Sequence, residues 1–122
     1  MLEIEVEGSG IVDVVVRGEL DMHHAPSFRS TVASVLNRGD VTAVELDLTA
    51  VEVLDAAGAG TVIVAHRIAI NLRVSMRVCA ASALATQILT LLGAADLLPG
   101  ERSANVEWSA RRQAAARQAM RR

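Results

Sequence analysis

Val44-Glu45-Leu46-Asp47-Leu48-Thr49-Ala50-Val51-Glu52-Val53-Leu54-Asp55-Ala56-Ala57-Gly58-Ala59-Gly60 is the stretch that decides the fold. Val44, Leu46 and Leu48 alternate with acidic Glu45 and Asp47, the period of a strand with one buried face. After a short connection, Asp55 stands where a helix N-cap belongs, two glycines follow, and an apolar run begins at Val62. A strand that feeds directly into a capped helix is the repeating unit of an α/β sheet.

The flanking sequence extends the unit. Leu2, Ile4 and Val6 alternate with Glu3, Glu5 and Glu7, Gly8-Ser9-Gly10 signals a turn, and Ile11 to Arg17 is a β-branched run. Together they predict a hairpin. The acidic outer side of the first strand also discourages edge-to-edge aggregation. Gly18-Glu19-Leu20-Asp21 closes the second strand, and Pro26 fits a first helical turn, where its missing N–H costs nothing. Phe28, Val32, Val35 and Leu36 then share one helix face, with Gly39 available for a left-handed cap.

Downstream, the pattern predicts a strand over 41–48, a helix over 56–71, and a strand over 73–79. A third helix follows, capped by Ser82, with Leu84, Ile88, Leu91 and Leu92 on one face and Gly93 at its end. The order β-β-α-β-α-β-α implies a mixed sheet of about four strands with helices packed on it. At Leu98-Pro99-Gly100 the composition changes. The sequence divides into a domain over 1–100 and an Arg/Ala-rich tail over 101–122, expected to be a helix docked by Val106 or Trp108 with a frayed end.

Composition narrows the function. The 122 residues suit one domain, and a 52% hydrophobic fraction suffices for a core built almost without aromatics, since only Phe28 and Trp108 are present. The net charge of −2 argues against general nucleic-acid binding. Cys79 is the only cysteine, so no intrachain disulfide forms, and its apolar strand context predicts a buried, inert thiol. No signal peptide and no spanning apolar run is present, which points to a cytoplasmic location. No dinucleotide fingerprint, phosphate-binding loop or nucleophile elbow is present, so the chain reads as a non-enzyme without a cofactor. His23, His24 and His66 lack metal-ligand spacing, and no metal site is expected.

Three segments together resemble the STAS domain of anti-sigma-factor antagonists: Gly18-Glu19-Leu20-Asp21-Met22-His23-His24-Ala25-Pro26, the strand Val44 to Leu48, and Asp55-Ala56-Ala57-Gly58-Ala59-Gly60. The resemblance spans about Leu2 to Leu98. It implies a STAS-like mixed sheet and a switch loop in which the second residue after the aspartate carries a hydroxyl that a partner kinase phosphorylates. Here that position is Ala57, whose methyl group takes no phosphate. The resemblance further implies a partner surface comprising Asp21, Thr49, Asp55, Ala57, Gly58 and Thr61. The partner would be an anti-sigma factor of the histidine-kinase-like ATPase type. A STAS scaffold subunit of a membrane ABC lipid-transport system is the alternative, because a scaffold needs no phosphocycle.

Each of these residues also has a plainer role. Asp55 caps a helix whatever the function. Gly58 and Gly60 permit tight packing of the helix start on the sheet as well as approach by a partner. Asp21 suits a turn ahead of Pro26, and Thr61 suits a hydroxyl bonded back to the backbone. On the second helix, Val62, Ala65, Ala69 and Leu72 form one stripe, while Ala59, Ile63 and Ile70 make the opposite side apolar too. A helix apolar nearly all round is buried on several sides or meets a partner, a second copy of the chain or the tail.

Overall fold

The computed structural model describes residues 1–99. The elements are β1 (Leu2–Glu7), β2 (Ile11–Leu20), α1 (Ala25–Leu36), β3 (Ala43–Leu54), α2 (Ala56–Asn71), β4 (Ser75–Ala81) and α3 (Ala83–Leu91), followed by a short 3₁₀ turn, Ala95–Leu97. The strands form one sheet in the order β1-β2-β3-β4. β1 and β2 are antiparallel, while β2, β3 and β4 run parallel. This is the mixed α/β architecture expected from the sequence. The tail expected over 101–122, with Val106 or Trp108 as its anchor, lies outside the described residues.

Both crossovers, β2-α1-β3 and β3-α2-β4, step in the same direction across the sheet. Right-handed connections then place α1 and α2 on one face, and the two helices pack against each other. Val12, Val14, Val44, Leu46, Met76 and Val78 meet Phe28, Val32, Val62, Ala65, Ala69 and Leu89 in one core on that side. The alternate residues Asp13, Glu45 and Arg77 pair in register and project from the other face.

Four local expectations need correction. β3 does not stop at Leu48 but runs to Leu54, directly against Asp55. Register shifts between β2 and β3 insert extra residues there, so burial recurs at Leu48, Val51 and Leu54 and the alternation is lost. β4 starts at Ser75 because Arg73 takes a left-handed conformation with φ 59. Cys79 is half-buried, beside the register shift that separates Val78 from Ala80 in the β3–β4 pairing. On α2, Leu72 is exposed at the C-cap, whereas Ala59 is buried and Ile63 packs against the core; only Ile70 of the supposed second stripe faces outward.

Candidate functional site

β2 and β3 end level with each other, Leu20 paired with Leu54. The next residues in each chain segment, Asp21 and Asp55, therefore emerge together at the C-terminal edge of the parallel strands, where α/β sheets place their sites.

Asp55 is the N-cap of α2, with extended backbone (φ −104, ψ −179). Its Oδ1 accepts from the Gly58 amide at 2.8 Å. Its Oδ2 accepts from the Met22 amide at 2.9 Å. One carboxylate thus starts the helix and fastens the β2–α1 connection to it. Asp21 serves its own turn: Oδ1 accepts from the amides of His23 and His24, each at 3.1 Å, and lies 2.7 Å from His24 Nδ1. Partial burial of the Asp21 carboxyl would raise its pKa, but the hydrogen bonds and charge of His24 more than offset this and hold it below the ordinary value.

Gly58 packs its Cα against the end of β2, so a Cβ there would collide with the carbonyl oxygen of Leu20. A Cβ at Gly60 would meet nothing within 4 Å. The packing role therefore belongs to Gly58 alone. Thr61 is 4% exposed, and its hydroxyl donates to the Gly58 carbonyl at 2.6 Å. This is the backbone-directed role the sequence suggested, and it removes the Thr61 hydroxyl from the surface.

Thr49 is exposed, its amide held by Asp47 Oδ1 at 2.9 Å. It sits five residues before the end of β3 and six before Asp55, roughly 20 Å down the strand at about 3.3 Å per residue. The structure thus brings together Asp21, Asp55, Ala57 and Gly58, keeps Thr61 beneath them, and leaves Thr49 apart.

Ala56 and Ala57 are exposed in the first turn of α2, the methyl of Ala57 standing where the resemblance puts the switch hydroxyl. The same side of the helix continues through half-buried Gly60 to exposed Val64, Arg67 and Ile70, at helical spacing. Met22 and Val53, both exposed, flank the Asp55 cap. The sequence reading missed Met22 and Val53 as parts of this surface, whereas it had Gly60 as a point of partner approach. The signal available for Met22 was its place directly after Asp21. Glu19, Asp21 and His24 bring potential ligand atoms within 4.8 Å of one another. These atoms already serve the fold, Glu19 with the Met1 ammonium at 3.5 Å and Asp21 with His24.

Comparison with known proteins gives concordant results. The family model of the STAS domain matches residues 3–107. An anti-sigma factor antagonist from Mycobacterium paratuberculosis is similar in structure, with TM-score 0.71 and 22% identity over 88% of this chain and 92% of that one. The anti-sigma factor antagonist SpoIIAA in its unphosphorylated form gives TM-score 0.71 and 16% identity over 89% of this chain and 96% of that one. The Bacillus cell fate determinant SpoIIAA in its phosphorylated form gives TM-score 0.66 and 16% identity over 89% and 99%. No protein with a curated description matches the chain in sequence. Among the described residues, no helix is long and apolar enough to cross a membrane.

Proposed function

The chain belongs to the STAS domain family, and on that premise we propose that it acts as an anti-sigma-factor antagonist that is not switched by phosphate at the usual position. It works by protein–protein contact in the cytoplasm, without catalysis, and its partner is an anti-sigma factor of the histidine-kinase-like ATPase type. The contact surface is the Asp55-capped start of α2, with Ala57, Gly60 and Val64 along the helix and Asp21 and Met22 beside it.

The observation that carries this reading is Gly60. It is a helix-interior glycine that no neighbour among the described residues requires, and such a residue costs helix stability relative to alanine. Its place, half-buried between exposed Ala57 and Val64, makes sense if a partner backbone comes close there. The absence of a hydroxyl at Ala57 makes the complex insensitive to ATP, because no charged group is added to an apolar contact.

The identifying experiment is capture of partners from native cytosol with the purified chain as bait, with ADP and with ATP. Recovery of a kinase-type anti-sigma factor under both conditions supports the proposal. Recovery of membrane ABC transporter ATPase subunits instead assigns the chain to the scaffold role.

A further inference from the structure

The switch edge is one end of a longer surface. The outer side of α2 continues below Gly60 through Val64, Arg67 and Ile70, each three residues from the next. Arg67 stands ten residues beyond Ala57, ~15 Å along the axis at ~1.5 Å per residue. Val64 is 43% exposed and Ile70 59%, although the opposite side of the same helix already supplies Val62, Ala65 and Ala69 to the core.

Charge on the helices has one sign. α1, α2 and α3 contain no aspartate or glutamate, and Arg67 is the only arginine of α2. The positions three and four residues to either side of Arg67 are Ile63, Val64, Ile70 and Asn71, so the helix offers it no charged neighbour. Arg17 and Arg38 are paired with Glu5 and Asp40, whereas Arg67 makes no ion pair among the described residues. Asp96 acts on His66, on the flank of the helix, and is not bonded to Arg67. A solvated helix face is ordinarily polar and laced with opposite charges. This one sets a lone cation between two bare aliphatic side chains.

We propose that the lower half of α2 receives an acidic amphipathic helix of the partner protein, its apolar side chains on Val64 and Ile70 and a carboxylate on Arg67. The inference rests on the reading of the chain as an antagonist that binds through the start of α2, and it names the chemistry of the partner's docking element. Charge complementarity selects this occupant. A guanidinium holds a carboxylate through two parallel hydrogen bonds, and the aliphatic flanks exclude water from the pair and strengthen it. A second copy would bring another arginine to the same place. An anionic membrane is recognised by clusters of four to eight basic residues, against a single arginine on α2.

The test is titration calorimetry of the full chain with the purified kinase-type anti-sigma factor and ADP. Arg67 is exposed, so its variants should keep the urea midpoint of the parent. Arg67→Glu should weaken binding roughly tenfold or more, and Arg67→Gln by less, as loss of a desolvated charge pair requires. Arg67→Lys keeps the charge and should stay within about threefold of the parent. Parent affinity should fall as sodium chloride rises from about 0.05 to about 0.5 M, and Arg67→Gln should flatten that dependence. Equal affinity of Arg67→Glu and the parent, with Gly60→Leu still weakening the complex, would overturn the inference and leave the antagonist reading standing. Absence of binding by the parent would overturn that reading, and the inference with it. Binding of the parent to vesicles of phosphatidylcholine and phosphatidylglycerol in equal parts, lost in Arg67→Glu, would overturn the inference by giving this face to a membrane. A parent dimer that Ile70→Asp abolishes would overturn it by seating a second copy there.

Discussion

The amide of Met22 donates to Asp55 across 33 residues of sequence, at 2.9 Å, while the other oxygen of the same carboxylate caps α2 through Gly58 at 2.8 Å. Asp55 is therefore the joint between the β2–α1 connection and the helix that presents Ala57. Asp55→Ala should destabilise the protein by about 1–3 kcal/mol, the sum of a lost cap and a lost long-range hydrogen bond. Asp55→Asn retains only one carboxylate-like acceptor and should cost about half as much. Urea denaturation of the two variants checks both values.

The two glycines of the switch should respond in opposite directions. Gly58→Ala drives a methyl into the Leu20 carbonyl and should cost about 1–3 kcal/mol through overpacking. Gly60→Ala meets no neighbour and should stabilise the free protein by about 0.5–1 kcal/mol, as expected for glycine replaced by alanine within a helix. If a partner approaches at Gly60, the same substitution weakens the complex. Paired measurements of melting temperature and partner affinity separate the effects.

Ala57→Ser places a hydroxyl in the exposed first turn of a helix whose N-cap bond is already made by Asp55. Stability should change by less than about 0.5 kcal/mol, the range of a surface substitution. Incubated with the cognate kinase and ATP, the variant should gain one phosphate by mass spectrometry and the parent none. Phosphate on the parent chain would contradict the insensitivity proposed for it.

Acid should act on two groups. The Asp21 carboxyl is held below its ordinary value, so its contribution to stability is complete above that value and lost as pH falls through the lowered one. Burial also lowers the pKa of His66, an effect that nearby Asp96 partly offsets. The unfolded chain therefore takes up the His66 proton first as pH drops below about 6.5, and stability falls until the folded form is protonated too. His66→Gln should flatten the stability curve on the acid side of neutrality, and Asp96→Asn should steepen it. Denaturant midpoints recorded across that range test the sign.

The sequence disclosed regular features where one physical signal dominated. The bounds of α2 followed from Asp55 as cap and the apolar run after Gly60, and the β1–β2 hairpin followed from strict alternation around Gly8-Ser9-Gly10. The second half of β3 was not legible, because register shifts replace a two-residue period with a three-residue one at Leu48, Val51 and Leu54. Pattern alone also made Gly58 and Gly60 equivalent, and only the position of the Leu20 carbonyl separates them. Thr49 looked close to the switch because the strand was read as ending there, whereas the strand carries it away from Asp55. Glu45 looked like a solvent-facing residue of an amphipathic strand, yet it is 1% exposed.

The most direct test of the account is the affinity of the purified chain for its kinase-type anti-sigma factor, measured by titration calorimetry with ADP and again after prolonged incubation with ATP. The account predicts the same affinity in both, with Asp55→Ala and Gly60→Leu weakening each. Loss of binding after ATP would show that the chain is switched at another residue, and no binding with either nucleotide would contradict the proposed partner.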